Sequence, residues 1–165
     1  MRKLRPFPAF VCVLHLATAW AQPPNQDCST ALNLCAQQPL TGQNNTNATG
    51  SVPSPCPPGD NLLWYTFTTN SQGGAVNVQL DDIACPQVAN MYNELSLVVL
   101  EGDGSCTPAS FNVVSPCGHD SLAFHVTSQW LQSNTDYWIV VAGALTATEP
   151  IAAQCGFSIS TSGPG

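Results

Sequence analysis

Three stretches carry residue types that could do chemistry. His119, Asp120 and Ser121 are the three members of a hydrolase relay. A relay, however, is a meeting of distant segments, and neighbours in an extended chain point alternately to opposite faces. They read as a polar turn before they read as an esterase or protease site. Cys117, His119 and His125 could share one strand face and offer sulfur and nitrogen to zinc. Their spacing matches no usual finger, and a cysteine in an exported chain goes first to a disulfide. Asp81 and Asp82 with Glu94, or Glu101 with Asp103, supply the hard oxygen ligands that calcium takes. Carboxylates in turns are usually only solvated, so calcium is the one cofactor the residues admit and none is the simpler expectation.

The charge balance excludes more than it admits. Arg2, Lys3 and Arg5 precede an apolar run from Phe7 to Ala19, and Ala19-Trp20-Ala21 stands before Gln22. A basic start, a short apolar run and a small-x-small end make residues 1–21 a signal peptide, with Cys12 inside its apolar part, and the run is too short to span a bilayer. The remaining domain, residues 22–165, is then secreted or displayed at a cell surface, with no membrane insertion after cleavage. It contains no Lys and no Arg against ten carboxylates, a formal side-chain charge of −10. Nucleic acid and anionic lipid both need cations and are disfavoured as partners. Schiff-base chemistry and an arginine clamp on phosphate are likewise excluded.

Seven cysteines follow the leader: Cys28, Cys35, Cys56, Cys85, Cys106, Cys117 and Cys155. An odd number leaves at least one outside an internal pair. Cys106 and Cys117 sit at the ends of two expected strands across a short connection, which makes them the favoured pair, worth about 3 kcal/mol by loop closure. Cys28 and Cys35 could meet Cys56 and Cys155 and tie the N-terminal stretch to the body.

The elements that position these residues are strands. Residues 61–69 form the densest aromatic and β-branched run, with Leu63, Tyr65 and Phe67 on one face and Trp64, Thr66 and Thr68 on the other. A Gln72-Gly73-Gly74 turn leads to residues 75–80, where Val76, Val78 and Leu80 alternate with Ala75, Asn77 and Gln79, as in a half-buried hairpin arm. Further strands are expected at 94–100, 111–115, 122–127 (Leu122, Phe124 and Val126 inward), 137–142 and 156–160. Residues 27–36 have a weak turn character with Asp27 or Ser29 as cap, 40–51 suit a polar edge strand, and the prolines of 52–60 make a stiff loop. Asn44-Asn45-Thr46 and Asn47-Ala48-Thr49 fit the glycosylation sequon. The spacing Leu131-x-x-x-Thr135-x-Tyr137 predicts a tyrosine corner, in which the hydroxyl returns to a backbone group upstream. Short strands between Gly, Pro and Asn turns indicate an all-β, two-layer antiparallel sandwich, jelly-roll-like and stabilised by disulfides.

Four runs taken together, residues 27–34, 63–68, 97–102 with Cys106 and Cys117, and 131–143 ending in Tyr137-Trp138-Ile139-Val140-Val141-Ala142-Gly143, resemble the pre-peptidase C-terminal (PPC-like) β-sandwich. Domains of that kind recur in large secreted and surface proteins of Gram-negative gliding bacteria, beside proteases, adhesins and sugar-active modules. The resemblance implies a jelly-roll-like sandwich with an accessory binding or adhesion role, and it carries over no catalytic residue. The lack of Lys and Arg departs from the pattern. Residues 161–165 read like the start of a linker, so this domain is expected to be the first module of something longer. Trp64 and Trp138, each turned away from its strand's core face and flanked by Thr and Asn, are the candidate platforms for a sugar ring. Burial under loops or the second sheet is the commoner fate of tryptophan and is favoured here. The expected partner is a polysaccharide or another surface protein; a structural spacer is the alternative, and a secreted hydrolase the third.

Overall fold

The computed structural model describes residues 22–50, 56 and 59–165. The signal segment and most of the Pro-rich loop lie outside the described residues. Ten strands follow one another: β1 (Leu32–Asn33), β2 (Leu40–Asn44), β3 (Gly59–Thr68), β4 (Asn77–Ala84), β5 (Leu95–Glu101), β6 (Asn112–Val113), β7 (Gly118–Asp120), β8 (Phe124–Thr127), β9 (Asp136–Ala144) and β10 (Gly156–Ser162). Two 3-10 turns, Cys28–Thr30 and Pro108–Ser110, are the other regular elements among the described residues.

The strands form two sheets. The larger runs β1-β3-β9-β5, with β6 and β7 taking successive parts of the far side of β5; the smaller runs β2-β10-β4-β8. If β6 and β7 are taken as one interrupted strand, β2 to β10 make two four-stranded layers in the jelly-roll order, all neighbours antiparallel. The short strand β1 is an addition, laid parallel along β3 with Leu32 opposite Tyr65.

The alternation read from the sequence sets the core. Leu63, Tyr65 and Phe67 of β3, Val76, Val78 and Leu80 of and before β4, and Ile139 and Val141 of β9 all face the interior between the layers. The expected hairpin does not form, because β3 and β4 belong to different sheets and β3 pairs instead with β9, Thr66 opposite Trp138. The two apolar faces meet across the sandwich, which buries both more completely than side-by-side pairing would. The connection between them is held by Asn70, whose carboxamide oxygen accepts from Gln72 N and Gly73 N. Gly73 has a φ of +66°, and a Cβ there would lie 2.4 Å from the Leu131 carbonyl oxygen.

The larger sheet is buried on its outer side too. Leu62, Trp64, Val98, Leu100, Val140 and Ala142 form a second apolar cluster beneath Cys28, Cys56, Phe111 and Trp138. Two of the three disulfides anchor that cover: Cys28–Cys106 and Cys56–Cys117, while Cys85–Cys155 joins β4's end to the start of β10. The expected pair Cys106–Cys117 is therefore not made. The two cysteines flank β6, and they reach to Cys28 and Cys56 instead of closing their own short loop. Cys28 meets neither Cys56 nor Cys155, and Cys35 is unpaired and exposed.

Smaller departures have local causes. Leu122 is 73% exposed in the turn before β8, so the inward pattern begins at Phe124. The strand expected at 111–115 shortens to Asn112–Val113, and Gly59 and Asp60 join β3. The first 3-10 turn closes through the backbone oxygen of Asp27, which accepts from Thr30 N, and not through a capping side chain. Of the residues in and around the sequons, Asn44 and Asn47 are exposed while Asn45 is buried: its Nδ2 donates to Ala153 O at 3.0 Å and Asn61 O at 3.2 Å, and its Oδ1 accepts from Cys155 N at 2.7 Å.

The tyrosine corner is present. Gln132 N donates to the Tyr137 hydroxyl at 2.9 Å, and Leu131 is buried beside it. Tyr137→Phe should cost about 1 kcal/mol in chemical denaturation, the usual net value of such a bond, with no change in the dependence on denaturant.

Candidate binding groove

Neither tryptophan singled out from the sequence is an open platform. Trp64 does turn away from Tyr65, but it is 0% exposed, packs on Phe111 with ring centres 5.3 Å apart, and leaves its indole N–H without a hydrogen-bond partner among the described residues. Trp138 is half-buried and meets the same Phe111 edge-on at 6.0 Å. Both belong to the outer cluster of the larger sheet. The exposed tryptophan is Trp130, at 78%, in the connection after β8, where Gln129 N donates to Val114 O at 2.7 Å. Sequence reasoning missed it: alternation from Val126 through Ser128 would turn Trp130 inward, but Leu131 takes the interior place.

The candidate chemical groups are dispersed. His119 Nδ1 lies 2.6 Å from Glu94 Oε2, and Asp120 accepts from Leu122 N instead of orienting the imidazole. Cys117 is oxidised, which removes it as a zinc ligand. Asp81 accepts from Gln79 Nε2, Asp82 from Ser158 Oγ, and Asp103 from Ser105 N. Glu101 ends β5 opposite Tyr137. Among the described residues no group of three or more His, Cys, Asp or Glu side chains converges to hold a metal. Beside His119 and Glu94 lies a cavity of about 130 Å³ reaching Tyr92 and Ser96. The Tyr92 hydroxyl is raised above its ordinary pKa, chiefly by its hydrogen bond to Glu94. The Asp103 carboxyl is lowered by the Ser105 hydroxyl and backbone.

A larger concavity lies elsewhere, between residues 22–25 and β2. Asn25 is buried and pairs with β3 as a strand would: Trp64 N donates to Asn25 O at 2.7 Å, and Asn25 Nδ2 donates to Trp64 O at 3.1 Å. Gln26 ties residues 22–26 to the turn after β2, its Oε1 accepting from Thr49 N and Thr49 Oγ1 at 3.0 and 3.1 Å. These bonds leave an open groove of about 540 Å³ with Pro23, Pro24 and Leu32 on its apolar side and Gln43, Asn44 and Asn47 on its polar side. Gln43 is held from below, where the Tyr65 hydroxyl donates to its Oε1 at 3.0 Å. Among the described residues no charged side chain lines the groove. Neutral amides offering both donors and acceptors above an apolar floor suit an uncharged, hydroxylated ligand.

Two measurements check this geometry. Burial holds the Tyr65 phenol far above its ordinary pKa of about 10, so the unfolded chain ionises first. Stability is full below about pH 10 and falls above it, by up to about 1.4 kcal/mol per pH unit, and Tyr65→Phe should flatten that slope in denaturation curves taken between pH 9 and 12. Acrylamide should quench one accessible tryptophan component in the folded domain, and Trp130→Phe should remove it while Trp138→Phe does not.

Three disulfides set the domain in an oxidising compartment, and among the described residues no helix is long and apolar enough to cross a membrane. No protein-family model, curated protein or solved structure matches the chain.

Proposed function

We propose that the chain is an exported, non-catalytic binding module of the PPC-like kind that takes a neutral polysaccharide in the groove between residues 22–25 and β2. The observation that carries this reading is the groove's lack of charge in a domain with ten carboxylates and no Lys or Arg. An anionic ligand would be repelled by the domain as a whole, and a cationic one would find no counter-charge in the groove. Hydroxyl groups, in contrast, can both give to and take from the side-chain amides of Gln43, Asn44 and Asn47, while the faces of sugar rings lie on Pro23 and Pro24. None of this needs a metal. His119 pairs with Glu94 and Asp120 accepts from Leu122 N, so the two do not form a relay, which supports a binding role over a hydrolytic one.

A surface protein as partner is the second reading, favoured by Trp130, since exposed tryptophan is enriched at such contacts. A glycan array with the secreted domain, followed by calorimetry, separates the two. A neutral polysaccharide should bind, with affinity reduced at least tenfold by Gln43→Ala or Asn47→Ala at unchanged melting temperature, and unaffected by Trp130→Ala. Loss on Trp130→Ala alone would move the site to the β6 edge, and a blank array would favour the structural spacer.

A further inference from the structure

We propose that Gln22 becomes the N-terminal residue of the secreted chain and closes on itself to pyroglutamate. The proposal rests on cleavage after Ala21, where the small-x-small end of the leader stands, and not on the identity of any ligand. Once that peptide bond is cut, the freed α-amine attacks the Cδ carbon of its own side-chain carboxamide. The new N–Cδ bond completes a five-membered lactam, the Cδ–Nε2 bond breaks, and Nε2 departs as ammonia with the proton released by the amine. No oxidant, reductant or second substrate enters.

The surroundings of Gln22 favour this outcome. The residue is exposed, and its Oε1, the oxygen that the lactam keeps, accepts from Gln26 Nε2 at 3.3 Å. The nitrogen that must leave is held by no hydrogen bond among the described residues. Pro23 follows and restricts Gln22 to extended backbone, which keeps the new terminus against the groove it lines. The electrostatic consequence is large for so small a change. In a chain from residue 22 onward without Lys or Arg, the α-ammonium, with its ordinary pKa near 8, is the one cation besides histidine. Cyclisation removes it and leaves a neutral ring bearing one donor and one acceptor in the wall of a groove that has no other charge.

The same lack of lysine makes the test direct, because an amine-reactive label can mark nothing except the terminus. The full 165-residue chain, carrying its own leader, would be secreted, purified from the medium, labelled, and its intact mass and N-terminal peptide measured. The expected chain begins at residue 22, is one ammonia lighter than the encoded sequence with its three disulfides, and takes no label. Gln22→Ala should take one label per chain. A chain that starts at Gln22 with full mass and one label overturns the proposal, as does a chain that starts anywhere else. Ligand binding does not enter the readout, so failure of the carbohydrate reading would leave this result intact.

Discussion

The larger sheet is greasy on both sides, and its outer side has no second sheet to rest against. Leu95 to Leu100 of β5 is buried without a break, and Trp64 sits wholly covered next door. Water must be kept from that side by irregular chain: the Cys28–Thr30 turn, Cys56, and the stretch through Cys106 and Phe111. Loops have little apolar surface of their own to hold them down, and ordering them costs about 1–2 kcal/mol of entropy per residue. The disulfides Cys28–Cys106 and Cys56–Cys117 meet that need. Each closes more than 60 residues of chain, the range in which a cross-link removes most unfolded-state freedom. The pairing therefore follows from the burial pattern, since the sulfurs stand where the cover would otherwise lift.

The same economy appears in the polar interactions. Residues 22–165 have no Lys or Arg, and the one contact of a carboxylate with a basic side chain among the described residues is that of Glu94 with His119, at the surface. Loops are fastened by side-chain amides instead. Asn25 pairs with β3, Asn45 joins the turn after β2 to residues 153 and 155, and Asn70 closes the passage between the layers. A carboxamide gives and accepts at once, and its burial costs far less than that of a charge. What results is a surface rich in carboxylates and an interior scaffold free of charge. The neutral groove lies where two of these amide-held segments meet.

Alternation along single strands was legible in advance because it is a local property. Leu63, Tyr65 and Phe67, and Val76, Val78 and Leu80, go where period two puts them. The tyrosine corner was legible because its donor and acceptor are five residues apart. Partnership was not. Nothing local says that β3 lies beside β9 and across from β4, or that Cys106 reaches to Cys28. One further signal was present: the apolar run Leu97 to Leu100 of β5 requires burial on both faces, in keeping with the favoured burial of Trp64. The groove could not be read from sequence, since Pro23, Gln43 and Leu63 come together only through the fold.

The interleaving of the layers has a consequence for how the molecule is made. Successive strands cross from one layer to the other, β2 to β3, β3 to β4, β4 to β5, and the two closing strands β9 and β10 are inserted into the middle of sheets begun long before. No contiguous half of the chain holds a finished layer. An emerging polypeptide can bury little until β9 and β10 arrive, so it collapses as one unit, at the slow pace that distant pairings impose.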